Sequence, residues 1–182
     1  MKGLILITNY FEDVEAICTV DILRRAGLIC DYVSLNSSLD NFTQSNLLIK
    51  CDKLIKDVKL DDYDFLIIPG GKAVMNDLKN RREVSEIINC FAKKNKLVAS
   101  ICAAPYLVGR LGYFDGGTYT CFPGCNEGIE KGKLVNKGVV VYKNFVTSKA
   151  MGYSVDFSLA IIEYLLGKDV RKQIDKSIHG DM

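Results

Sequence analysis

The sequence predicts an α/β fold, a mostly parallel sheet with helices on both faces. Three observations carry this. Short apolar runs that read as buried strands recur at residues 3–8, 29–35, 65–68 and 96–101. Stretches with apolar residues at helical spacing alternate with them, the pattern of a parallel sheet covered on both sides. Glycines and prolines mark the ends of these elements and form no linker, so residues 1–182 read as one domain.

The elements follow in order. The strand at 3–8 exits through Asn9-Tyr10-Phe11-Glu12-Asp13 into a helix at 13–26, with Val14, Ile17, Val20 and Leu23 on one face. Gly27 stops it, where a left-handed cap suits glycine. Acidic residues in its first turn and Arg24-Arg25 in its last match the helix dipole. A second strand at 29–35 leads to a polar loop at 36–46. Weaker strands at 47–51 and 54–58 read as a hairpin or an edge excursion. The strand at 65–68 runs into Pro69-Gly70-Gly71, a sharp turn. Asn80 and Glu83 have capping-box spacing ahead of a helix carrying Val84, Ile87, Ile88 and Phe91. The strand at 96–101 is followed by a helix at 104–111, closed by Gly112. Strands at 116–121, 138–142 and 145–148, then helices at 154–166 and 169–177, complete the chain.

Composition narrows the function classes. A net charge of +2 over 24 basic and 22 acidic residues gives no concentrated excess for a nucleic acid. The densest basic cluster, Lys93, Lys94 and Lys96, falls at a predicted helix end, where it complements the dipole. No apolar stretch reaches the ~18 residues of a membrane span. The first residues read as a strand and not as a leader. Most of the seven cysteines, Cys18, Cys30, Cys51, Cys90, Cys102, Cys121 and Cys125, sit in apolar runs, where a thiol acts as a small hydrophobe. A reducing cytoplasm without disulfides is the expectation.

One stretch points to chemistry. Ser100-Ile101-Cys102-Ala103-Ala104 follows a buried strand and precedes a helix, with small residues two positions either side of the cysteine. That is the spacing of a nucleophile elbow, whose tight turn lifts the nucleophile above the sheet edge. A cysteine opening a helix has amide N–H groups near its sulfur, which predicts a lowered thiol pKa. A buried structural cysteine is the plain alternative. Gly70, Gly71 and Ala103 offer backbone N–H groups for an oxyanion hole; a turn that merely needs glycine reads equally well. Glu15, like Glu12 and Asp13, reads first as a solvated dipole partner. In parallel sheets chemistry collects at the strands' carboxyl ends, which brings these loops together.

Other chemistries find little. The single histidine, His179, lies in the last four residues and reads as a solvated tail, so a cysteine–histidine dyad is hard to build. Cys121 and Cys125 have C-x3-C spacing without further ligand pairs, a poor zinc signal, and no metal is expected. Gly70-Gly71 lacks the phosphate-loop pattern.

Across nearly the whole chain the sequence resembles the ThiJ/PfpI superfamily, in the branch of the Parkinson-disease-linked protein deglycase and its bacterial relatives. The likeness rests on Glu12-Asp13-Val14-Glu15, residues 20–27, Tyr63 to Gly71, Ser100 to Pro105, Thr147-Ser148 and residues 157–163. It implies a flavodoxin-like three-layer sandwich of the class I glutamine amidotransferase-like type, usually homodimeric. It assigns the oxidisable nucleophile to Cys102. It assigns to Glu15 a protonated carboxyl that hydrogen-bonds the thiolate, and the glycine turn to Gly70 and Gly71. Two departures matter. Ala103 stands where the protease branch has histidine, which argues against peptidase activity. Phe122 stands before Pro123 where some relatives carry a histidine.

The resemblance implies a cofactor-free enzyme acting on small 2-oxoaldehydes through Cys102 and Glu15. Its alternative is an oxidative-stress sensor or chaperone in which Cys102 becomes a sulfinate. Phe122 and Cys121 are candidate pocket residues, and Cys121 a candidate resolving thiol.

Overall fold

The computed structural model describes residues 1–181. Its strands are β1 (Lys2–Ile7), β2 (Ile29–Ser34), β3 (Asp40–Phe42), β4 (Leu48–Lys50), β5 (Lys53–Leu54), β6 (Phe65–Ile68), β7 (Leu97–Ile101), β8 (Thr118–Tyr119), β9 (Lys133–Leu134), β10 (Val139–Tyr142) and β11 (Phe145–Ser148). Its helices are α1 (Asp13–Arg25), α2 (Lys72–Asn76), α3 (Arg82–Lys93), α4 (Pro105–Gly109), α5 (Ser154–Leu166) and α6 (Lys168–His179).

Seven strands form one sheet in the order β10-β11-β7-β6-β1-β2-β5. Every neighbouring pair is parallel except the β10–β11 hairpin. Side chains alternate across a strand, so a strand covered on both faces must be apolar throughout. In β1, Leu4 and Leu6 enter one core layer while Ile5 and Ile7 enter the other. The first layer packs against α3 and α4 through Val84, Ile87, Phe91 and Leu107. The second packs against α1, α5 and α6 through Val20, Leu23, Phe157, Ile161 and Ile174. The result is the parallel sheet covered on both faces that the alternation predicts, in the three-layer, flavodoxin-like form that the resemblance implies. β1, β6 and β7 are adjacent, so the loops that follow them share one end of the sheet.

Several local expectations are corrected. Residues 36–46 are not all loop: β3 pairs antiparallel with β4, and β5 instead joins the edge of the main sheet beside β2. Residues Ile55–Asp57 form a 3-10 turn and not a strand. Asn80 does not cap α3: the preceding position is Arg81, and no side chain makes a capping bond. Arg81 instead ties down the entry, donating to Asp77 at 2.7 Å, to the Leu35 carbonyl at 2.8 Å and to Glu83 at 3.2 Å. Glu83 is thereby engaged by Arg81 instead of reaching back to the backbone. The strand expected at 116–121 is only β8, paired with the unforeseen β9 away from the main sheet. α1 is rotated from its expected face: Val14 and Ile17 are exposed, while Glu15, Ala16, Thr19, Val20 and Leu23 are buried. His179 is exposed, as expected of it, but it ends α6, where its Nδ1 lies 2.8 Å from the Asp175 carbonyl.

Candidate active site

The site forms where β1, β6 and β7 end. β7 delivers Cys102 directly. Its φ of 63° is left-handed, which a side chain adopts only under constraint. Two neighbouring segments supply that constraint. The Cys102 N–H donates to the Ser148 carbonyl at 2.9 Å, and its own carbonyl accepts the Phe122 N–H at 2.7 Å. Ser100 and Ala104 are buried on either side, as the elbow spacing requires.

Glu15 enters from α1. It occupies a position in phase with Ala16, Thr19 and Leu23, so the helix face that builds the core carries it inward, and it is fully buried. Its Oε2 accepts the Gly70 N–H at 2.7 Å; its Oε1 is buried with no hydrogen-bond partner. Gly70 fits between Cys102 and Glu15: a Cβ there would lie 2.7 Å from both Cys102 Cβ and Glu15 Oε2. Gly71 has φ 90° and ψ −179°, a conformation that belongs almost wholly to glycine.

The electrostatics follow from this packing. Burial pushes the Glu15 carboxyl up to about 7; the Gly70 N–H and the Cys102 thiol pull it back, and the charge of Glu12 raises it. Burial also raises the Cys102 thiol, and the Glu15 carboxylate raises it further; the N–H groups of Gly71 and Ala103 lower it. The expected fall in the thiol pKa is therefore not found. Two amides do face the sulfur, but removal from water and an adjacent carboxylate outweigh them. The helix behind is a single short turn that begins only at Pro105.

The expected backbone donors divide into two groups. Gly71 and Ala103 serve the sulfur. The Gly70 N–H is occupied by Glu15 and is not a donor to Cys102. Phe122 meets the elbow through its backbone, and its ring is exposed. Cys121 is buried in the layer of Ala103, Leu107 and Phe145, whereas Cys102 packs against the opposite layer. All seven cysteines are free, and among the described residues no His/Cys/Asp/Glu cluster could hold a metal. No described helix is long and apolar enough to cross a membrane.

Sequence reasoning missed Gln44 and the hairpin that carries it. The Gln44 side-chain amide donates to Glu12, its N–H donates to the Phe11 carbonyl at 2.8 Å, and its Oε1 accepts the Lys72 N–H at 3.3 Å. Nothing in the polar run at 36–46 marked it, because its role comes from the β3–β4 hairpin folding over the β1–α1 loop.

Comparison with known proteins places this fold among known relatives. The chain is 29% identical over 180 residues to Protein DJ-1alpha of Drosophila melanogaster, covering 97% of this chain and 83% of that protein. It is 28% identical over 177 residues to the Parkinson disease protein 7 homolog of Danio rerio, covering 95% and 94%. Among solved structures, Drosophila melanogaster DJ-1beta superposes with a TM-score of 0.90 at 27% identity, covering 97% and 96%. The oxidized DJ-1 of Toxoplasma gondii gives 0.88 at 27%, covering 97% of each chain. A strained cysteine elbow, a buried glutamate from the first helix and a glycine turn between them sit in a fold shared with these relatives. The DJ-1/PfpI family model matches residues 1–164, and the chain belongs to that family.

Proposed function

We propose that this protein is a cofactor-free enzyme converting small 2-oxoaldehydes to 2-hydroxy acids, with Cys102 as nucleophile and Glu15 as proton shuttle. The observation that carries the reading is the Glu15 carboxyl: buried beside Cys102, fixed through Oε2, with Oε1 free of any partner. A pKa of about 7 lets it act as base and then as acid near neutrality.

With methylglyoxal, the Cys102 sulfur adds to the aldehyde carbon as its proton passes to the Glu15 carboxylate, and Glu15 hands that proton to the new alkoxide oxygen, giving a neutral hemithioacetal and freeing the carboxylate. Because burial keeps the thiol protonated, Glu15 makes the nucleophile at the moment of attack. Glu15 then takes the proton from the former aldehyde carbon and returns one to the adjacent carbon. The product is a thioester of the 2-hydroxy acid, which water cleaves to lactate and free Cys102. A deglycase acting on aldehyde-modified amines or thiols would use similar steps. With Phe122 in place of a family histidine, the proton transfers fall to Glu15, and with Ala103 after the cysteine a peptidase is disfavoured. The test is lactate formation from methylglyoxal without glutathione. Cys102→Ala is expected to abolish it, and retention of the wild-type rate would end the proposal.

One observation favours a second role for the same site. A sulfinate on Cys102 would find donors in Gly71, Ala103 and protonated Glu15. Intact mass after mild peroxide tests it: two added oxygens mapped to Cys102 are expected, and oxidation confined to other cysteines would exclude it.

We further propose a cytoplasmic homodimer. Val14 and Ile17 lie 43% and 38% exposed on α1, apolar area that a second copy would cover. Light scattering is expected to give twice the 20.3 kDa of one chain; a monomer's mass would remove this part.

A further inference from the structure

A second buried carboxyl in the loop that delivers Glu15 takes no part in the chemistry above. Glu12 is 8% exposed. Its N–H donates to the Gly70 carbonyl at 3.2 Å, while the Gly70 N–H donates to Glu15. The two glutamates thus hold the two sides of one residue. The Glu12 side chain accepts from the Gln44 amide, and Gln44 is itself fixed between Phe11 and Lys72.

The charged surroundings are one-sided. On its own segment Glu12 faces Asp13 and Glu15. The hairpin presents neutral groups, Gln44 to Glu12 and Ser45 to Asp13 at 2.6 Å. From β7 comes Cys102. α2 contributes Lys72, whose side chain is exposed while its backbone serves Gln44. Among the described residues no lysine, arginine or histidine nitrogen lies within ion-pair distance of Glu12 or Glu15. Two neighbouring carboxyls without a cation resist ionising together. The more exposed Glu12 ionises first, and its charge then acts on its buried neighbour.

We propose that Glu12 is a positioning residue: held by Gln44 beside Gly70, its carboxylate adds to the effect of burial on Glu15 and so shifts the pH range in which Cys102 and Glu15 exchange a proton. This rests on the reading of Cys102 and Glu15 as the reactive pair, and it adds a residue with no contact to substrate.

The experiment titrates the Glu15 carboxyl by carbon NMR in the full-length protein and follows Cys102 alkylation by iodoacetamide across the same pH range. Both Glu12→Gln and Glu12→Ala are expected to move the midpoint down by on the order of half a pH unit, the effect of one partly screened charge. Glu12→Asp keeps the charge and is expected to keep the wild-type midpoint. An unchanged midpoint in Glu12→Gln, or a shift in Glu12→Ala alone, would overturn the proposal, since the second result reports packing and not charge. A protein that makes no lactate but shows the expected shifts would defeat the oxoaldehyde reading and support the role of Glu12.

Discussion

The backbone N–H of Gly70 donates to Oε2 of Glu15 at 2.7 Å, a bond that ties the end of β6 to the first turn of α1 inside the site. It fixes one carboxyl oxygen and leaves the other unpartnered, which makes the carboxyl both oriented and able to carry a proton.

Gly70→Ala tests this arrangement directly. The new methyl would lie 2.7 Å from Cys102 Cβ and Glu15 Oε2, and one side chain must move. Overpacking of this kind costs about 1–3 kcal/mol. The expected outcome is a lower urea midpoint together with loss of lactate formation. A variant of wild-type stability and activity would show that the glycine is dispensable.

Glu15→Gln tests the electrostatics through stability. The Glu15 carboxyl is raised from 4.5 in the unfolded chain to about 7, so the folded state holds its proton where the unfolded chain has lost it. Its contribution is complete below the unfolded value and is lost as pH rises through 7, a change on the order of 3 kcal/mol. A glutamine keeps the shape and never ionises. Thermal melts are expected to show the variant gaining stability over wild type between pH 5 and pH 8, and parallel pH curves would contradict the assignment.

Cys102→Gly should be more stable than Cys102→Ala. At φ 63° glycine carries no steric penalty, while alanine retains it. The expected difference is about 1 kcal/mol in favour of glycine by chemical denaturation. The reverse order would mean that the elbow backbone relaxes once sulfur is gone.

At the entry to α3, Asn80→Ala should change stability by less than about 0.5 kcal/mol, since Asn80 makes no cap. Arg81→Ala removes bonds to Asp77, the Leu35 carbonyl and Glu83, and is expected to cost about 1–2 kcal/mol. Equal effects in denaturation would restore the capping box.

The strands and their alternation were legible because a two-sided sheet leaves a plain mark, an apolar run with no polar face. Cys102 was legible for a similar reason: a tight strand-to-helix turn admits only small neighbours, and Ser100 and Ala104 record that. Glu15 was not legible from spacing alone. Its phase with Ala16, Thr19 and Leu23 placed it on the core face, but the exposed Val14 and Ile17 drew the predicted face to the other side of the helix. Of the β3–β4 hairpin, β4 falls inside the weak strand expected at 47–51, while β3 escaped because it is three residues long and mostly solvent-facing.

By itself the sequence determined the parallel α/β fold, the elbow that presents Cys102 and the absence of a nearby histidine, because local sterics and burial decide each of these. Only the tertiary structure decided the protonation of the site. Whether a thiol near a helix terminus falls or rises in pKa depends on how much water is removed and on which charges stand beside it. Residues far apart in the chain supply both: the packing around the elbow takes the sulfur out of water, and Glu15 from α1 stands beside it. Together they raise the Cys102 thiol that local sequence had predicted to fall.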